Sequence, residues 1–500
     1  MWQIAQGPVF SYFFPSRPAV EQLLVDLAVW TITGGLILFL ASQWNLLRFV
    51  ALIGGASLIL WNWSLLYQSG WYGRNDPIFL GALLLVEVLF GLAIFRYRTF
   101  RQAIEFVVVI VFLFTASRSA MVWMEARKLP TQLPSRVGEI FFEQSGNAVA
   151  GTPEISGLNT VRLIWLVFDE LDEHITFEAG FRYPAFQKVA SESLRATALS
   201  PSHYRTLAAI PSMLRGQEMS MNEVLQSITN RTEGNTAWEK DNLFSEFKRA
   251  GLRSAVLGWY QPYCSLFGGV LTACYTAQWD TAGTASYLAG APLSRRIRKD
   301  LGEIARGFPG AVPLYRKFIR GSGENGTAEA ILAHRQIFDE IASRLEPVLT
   351  GPYDFIFVHL PVPHTPGILL AKGIPGGDYL DNMVIADETL GFIRELLVKK
   401  GIWDRSTVLV TGDHHFRYDI WHDQSTRRTS NASRWREDPR TVFLLKLPGD
   451  KTGSTYGKPF NALLLHDLLL AGKRLATRAG VIEWLDTNRG RFPVGDPSHL

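Results

Sequence analysis

Cysteine is almost absent, with two residues, Cys264 and Cys274, in a chain of 500. That leaves room for one disulfide at most. A close pair in an otherwise cysteine-free chain fits a single disulfide formed in an oxidising compartment, with two buried free thiols as the alternative. Charge is also scarce, at 19% of residues with a net +4, and no basic cluster occurs, so the chain offers nothing to nucleic acid. Internal repeats and low-complexity tracts are missing as well.

The scarcity of charge is uneven. Leu27 to Leu47 and Phe49 to Gly73 carry none. Pro77 to Phe95 is interrupted only by Glu87, and Ala103 to Trp123 only by Glu105 and Arg118. Each run is close to the ~20 residues that cross a bilayer as a helix. Four such runs are not a cleaved leader peptide, so residues 1–125 are expected to form a membrane domain of about four transmembrane helices. Arg96, Arg98 and Arg101 lie between the third and fourth runs and place that loop in the cytoplasm. The N-terminus and everything after residue 125 then fall outside, although Arg127 and Lys128 argue weakly the other way. Glu87 and Arg118 either pair within the membrane or, for Arg118, snorkel to its outer face.

Residues 126–158, rich in Pro, Gly and Ser, read as a juxtamembrane linker. Beyond it, apolar strand-like runs occur at 161–168, 254–260, 354–360, 406–412 and 440–447. Helical patterns such as "AEAILAHRQIFDEIASRLEPVL" and "MVIADETLGFIRELLVKKG" lie between them. Strands alternating with helices predict an α/β domain over 159–500 with a mainly parallel, covered sheet.

In such sheets, sites form beyond the carboxyl ends of the strands. Three of those ends carry acidic or histidine residues: "DELDEH" after 161–168, "PVPHTP" after 354–360 and "DHHFR" after 406–412. Asp169 and Asp413 are hard oxygen donors and His414 adds nitrogen, a mixture that suits Zn²⁺ or Mn²⁺ better than Ca²⁺ or Mg²⁺. "SPSHYRTLAAIPSMLRG" runs from a loop into a helix-like stretch. Thr206, near that helix start, could be deprotonated by a metal at its oxygen and attack phosphorus, whereas an ordinary N-cap threonine is the commoner case.

"WLVFDELD", the threonine ten residues before the glycine of "TLAAIPSMLRG", "HLPVPHTP" and "VLVTGDHH" follow one another in an order that resembles the sulfatase and alkaline phosphatase superfamily. The resemblance is strongest to its membrane-anchored branch, the lipoteichoic acid synthases and phosphoethanolamine transferases. It implies a sulfatase-like α/β/α catalytic domain outside the membrane of a bacterial cell, joined to the transmembrane helices. It also implies that Asp169, Thr206, Asp413 and His414 hold a divalent metal, with Thr206 the nucleophile and His364 a contact to the transferred group. Glu170 stands where sulfatases have a second acid, and His415 replaces the glycine of the usual Asp-His-Gly. Glu170, His415 and His422 are further ligand candidates, and Asp387 is expected to be structural. No cysteine stands near Thr206, which points away from sulfate ester hydrolysis through formylglycine and toward a phospho-threonine.

The implied reaction moves a phospho-head-group, of phosphoethanolamine or phosphoglycerol type, from a membrane lipid donor to an envelope glycan or lipid acceptor. Hydrolysis of phosphate or sulfate esters in the same site is the rival, and a non-catalytic domain that binds a glycan or a protein is the third reading. Sequons at Asn230, Asn325 and Asn431 have meaning only in a eukaryotic secretory pathway, and the architecture reads as bacterial.

Overall fold

The computed structural model describes residues 161–220, 223–224, 241–261, 263–277, 326–365, 367–368, 379–417, 438–471 and 476–494. The chain divides into two compact units, Met1–Leu133 with Ala285–Asn325, and Pro134–Thr284 with Gly326–Leu500. Every described residue belongs to the second. The four expected transmembrane runs, the linker and His422 lie outside the described residues, among which no helix is long and apolar enough to cross a membrane.

Among the described residues, nine strands form one sheet: β1 (Arg162–Asp169), β2 (Leu194–Ser200), β3 (Ser254–Trp259), β4 (Ala273–Ala277), β5 (Phe355–Pro363), β6 (Ser406–Gly412), β7 (Thr441–Lys446), β8 (Ser454–Tyr456) and β9 (Phe460–Asn461). Their order is β4-β3-β5-β1-β6-β7-β2-β8, with β9 against β2. From β4 to β6 every pairing is parallel; β7 runs antiparallel to both β6 and β2. The sheet is therefore mixed and mostly parallel. All residues of β3, β5, β6 and β7 are buried, as continuous apolar strands covered on both faces should be.

The described helices are α1 (Glu173–Phe177), α2 (Pro184–Ala190), α3 (Thr206–Arg215), α4 (Leu243–Arg249), α5 (Tyr263–Phe267), α6 (Gly326–Thr350), α7 (Tyr379–Lys399), α8 (Leu464–Leu470) and α9 (Arg478–Asn488). One apolar cluster of buried residues includes Phe168, Trp259, Leu345, Val358, Met383, Leu390 and Val410. It joins the central strands to the faces of α6 and α7. Asp387 on α7 accepts the Phe186 backbone N–H at 2.8 Å, a structural tie to α2.

Register sets up the site. Phe168 of β1 pairs with Gly412 of β6, so the residues that follow, Asp169 and Asp413, emerge side by side at one edge. Gly412 is required there. A Cβ would collide with Thr441 Oγ1 and lie 2.7 Å from the Leu171 carbonyl.

Candidate active site

At the β1 and β6 ends, Asp169, Asp413 and His414 form a fully buried group whose ligand atoms all lie within 4.8 Å of one another. Each side chain is aimed by its surroundings. Asp413 Oδ1 accepts the backbone N–H of Glu170 at 2.9 Å and of His414 at 2.8 Å. Its Oδ2 makes no hydrogen bond and stands 3.4 Å from His414 Nε2. His414 Nδ1 lies 2.9 Å from the His415 carbonyl, which can only accept, so Nδ1 carries the proton and Nε2 presents a lone pair.

Thr206 completes the cluster. It is the first residue of α3, where the helix dipole favours negative charge. Its Oγ1 lies 3.4 Å from both oxygens of Asp169 and 3.2 Å from His414 Nε2. Gln261 braces this turn, donating from Nε2 to the carbonyls of Thr206 and Leu207 at 3.1 and 3.2 Å. Ser202 points elsewhere, donating to the Ala209 carbonyl at 3.1 Å.

The electrostatics favour a positive partner for the ionised carboxylates. Burial, then the neighbouring Asp413 and Glu170, holds the Asp169 carboxyl well above its ordinary range. Burial also raises Asp413, opposed mainly by His359. Burial, with Arg417 nearby, keeps the His414 imidazole neutral. Two carboxylates and an imidazole lone pair converge, and Asp413 Oδ2 is left without a hydrogen bond. This donor set fits a divalent cation. Oxygen and nitrogen donors together suit Zn²⁺ or Mn²⁺ over Ca²⁺ or Mg²⁺.

Glu170 does not join this group. Its backbone takes the left-handed conformation, φ 65°, secured by Asp413 at its N–H and by the Tyr379 hydroxyl at its carbonyl, 2.6 Å away. Its carboxylate accepts from Arg417 Nε at 2.6 Å instead. Arg417 in turn lies 3.4 Å from His364 Nε2, so it links the second acid of "DELD" to the histidine of "PHTP". Burial and Arg417 hold His364 neutral. Asn382 of α7 fixes that loop, donating to the His364 carbonyl at 2.6 Å and accepting from Ile368 N at 2.8 Å. His415 is buried, and its carbonyl rather than its ring orients His414. Cys264 and Cys274 are joined in a disulfide that ties α5 to β4.

Three residues carried no signal in the sequence. Arg417 stands in "DHHFR" without an assigned role, Tyr260 follows β3 in a left-handed conformation, φ 67°, and His359 is hidden inside an apolar strand. Burial, then Asp169, pushes the Tyr260 hydroxyl up to about 12. Burial pushes His359 down to about 4, against the pull of Asp413. A second cluster of ligand-type residues, His174, Glu178 and Asp438, lies toward the surface, where Arg440 pairs with both acids at 2.7 Å.

No protein-family model matches the chain, and no curated protein does. Solved structures are similar to it. A sulfatase from Pseudoalteromonas sp. is 16% identical at a TM-score of 0.42, covering 66% of this chain and 69% of that one. A phosphonate monoester hydrolase of Agrobacterium radiobacter is 14% identical at 0.36, covering 63% and 73%. A lipoteichoic acid synthase from Listeria monocytogenes is 15% identical at 0.38, covering 64% and 73%. Likeness at these scores carries no weight for mechanism, which has to come from the geometry.

Proposed function

We propose that the chain is a membrane-anchored metalloenzyme of the sulfatase and alkaline phosphatase kind. In this reading it transfers a phospho-head-group from a lipid to an envelope glycan or lipid acceptor through a phospho-threonine. The carrying observation is the position of Thr206. Its hydroxyl oxygen stands at a helix start between Asp169 and His414, within 3.4 Å of each.

Asp169, Asp413, His414 and Thr206 would hold the cation. Bound there, it would lower the Thr206 hydroxyl pKa and offset charge on the phosphoryl oxygens. The chain's own residues supply the rest. Thr206 Oγ1 forms a bond to phosphorus while the bond from phosphorus to the diacylglycerol oxygen breaks, and the Oγ1 proton ends on that oxygen. An acceptor hydroxyl then takes the phospho-group, returning its proton to Oγ1. Arg417, 3.4 Å from His364 Nε2, would supply a donor for the equatorial oxygens, and His364 would contact the transferred group beside it. The long apolar runs before residue 125 support a membrane anchor, which keeps the site near a lipid donor at high effective concentration.

The test is intact-mass analysis of the full-length chain after incubation with phosphatidylethanolamine or phosphatidylglycerol and Mn²⁺ or Zn²⁺. An adduct on Thr206 with the mass of the head group is expected, together with released diacylglycerol. Free phosphate or sulfate without transfer would make the protein a hydrolase. A purified chain that takes up no transition metal would make it a binding domain.

A further inference from the structure

His359 stands in the middle of β5, with no role in the reaction above. Its address is set by register. It pairs with Val167 of β1, and Asp169 lies two residues further on, on the same face of a pleated strand. His359 Nε2 makes no hydrogen bond and stands 3.7 Å from Asp169 Oδ2, both side chains being fully buried. On the other side of the ring, Nδ1 lies 2.8 Å from the Tyr263 hydroxyl, also buried.

The seat of Tyr263 is built for this contact. Gly258 precedes the last residue of β3, and a Cβ there would lie 2.5 Å from Tyr263 Cε2 and 3.4 Å from His359 Cβ. Only a glycine lets the phenol ring slide between β3 and the histidine. The next residue, Cys264, is locked to β4 through Cys274 and accepts a further tie, its N–H donating to Thr276 Oγ1 at 3.3 Å. The start of α5 is thus held at two points, with Tyr263 beside them.

We propose that Tyr263 and His359 act as a positioning couple for the cation ligand Asp169. The phenol donates to Nδ1, which puts the ring's single proton on Nε2. That proton faces Asp169 Oδ2 and steadies the carboxylate, so that its lone pairs address the cation. Outer partners of this kind change metal affinity by about 10–100-fold when removed. The inference rests on Asp169, Asp413 and His414 being cation ligands.

The experiment titrates the full-length chain and its Tyr263→Phe, His359→Gln and double variants with Mn²⁺. Affinity is read by calorimetry and the spectrum of the bound ion by electron paramagnetic resonance. Tyr263→Phe keeps the ring and its packing, so the metal-free unfolding temperature reports separately on folding. Each single variant is expected to weaken binding about 10–100-fold and to shift the Mn²⁺ spectrum. The double variant should weaken it no further than the worse single one, because both residues act along one path. Unchanged affinity in Tyr263→Phe, or losses that multiply in the double variant, would overturn the couple. A wild-type chain that binds no Mn²⁺ or Zn²⁺ would instead overturn the metal-site reading beneath it.

Discussion

The hydroxyl oxygen of Thr206 and Nε2 of His414 stand 3.2 Å apart although 208 residues separate them in the chain. Because the His415 carbonyl occupies Nδ1, the nitrogen that faces Thr206 is the one with the lone pair. The threonine oxygen and the imidazole therefore address the same point in space, as two ligands of one ion would.

Thr206→Ala should abolish transfer, leaving at most about a thousandth of the wild-type rate, because its hydroxyl is the one that contacts Asp169 and His414 while Ser202, the nearest alternative in the sequence, is turned to the Ala209 carbonyl. Thr206→Ser keeps the oxygen and should retain measurable turnover. Metal binding in the alanine variant should persist, since three of the four donors remain. Head-group transfer assays, paired with metal analysis of each variant, check the three outcomes together.

Burial raises the carboxyls of both Asp169 and Asp413 in the metal-free protein, so a bound cation must displace protons. His414 is held neutral and offers no competing proton. Apparent affinity for Mn²⁺ should therefore tighten as pH rises above the ordinary carboxylate range, by up to about tenfold per unit for each proton released. The sign for stability is the reverse. A carboxyl raised in the folded state favours folding fully at pH below its ordinary value and loses that contribution as pH rises through the raised one. Metal should then stabilise the protein more at pH 7.5 than at pH 5.5. Calorimetry in two buffers of different ionisation enthalpy counts the protons, and thermal melts with and without metal test the second effect.

Much of this was legible in the chain itself. The runs at 161–168, 254–260, 354–360, 406–412 and 440–447 overlie β1, β3, β5, β6 and β7, because strands buried on both faces must be apolar throughout. β2, "LRATALS", escaped notice because it is only partly buried and mixes polar with apolar residues, while β4, β8 and β9 are too short to stand out. At the site, Asp169, Asp413 and His414 declare themselves by interrupting apolar runs where strands stop. The turn of Glu170 toward Arg417 could not be read, since it depends on a left-handed backbone and a partner 247 residues away. His359 was concealed for the opposite reason. Within "FIFVHLPVP" a single histidine reads as a satisfied core residue, and only the register to β1 shows that it faces Asp169.

Gly412→Ala should damage site and fold together. The added methyl would meet Thr441 Oγ1 and the Leu171 carbonyl, both held by the hydrogen bond between them at 2.9 Å. Relief requires β6 to shift where it delivers Asp413. A loss of about 1–3 kcal/mol in stability is expected from such overpacking, together with weakened metal binding. A variant that melts lower yet binds Mn²⁺ as tightly as wild type would show that Asp413 is placed independently of the strand end.

Arg417 allows the structural and chemical roles of one side chain to be separated. Its guanidinium pairs with the fully buried Glu170 and lies 3.4 Å from His364. Arg417→Gln leaves the Glu170 carboxylate buried without its cation, which costs about 3–5 kcal/mol for a pair broken on one side. Adding Glu170→Gln removes the stranded charge, so the double variant should recover most of the lost stability. It should not recover transfer, because the donor facing the phosphoryl oxygens is still missing; a deficit of about 10²–10³ in rate is expected for one lost donor of this type. Chemical denaturation gives the first comparison and head-group transfer the second. If the double variant regained both, Arg417 would serve only to neutralise Glu170 and would have no part in binding the phosphoryl oxygens.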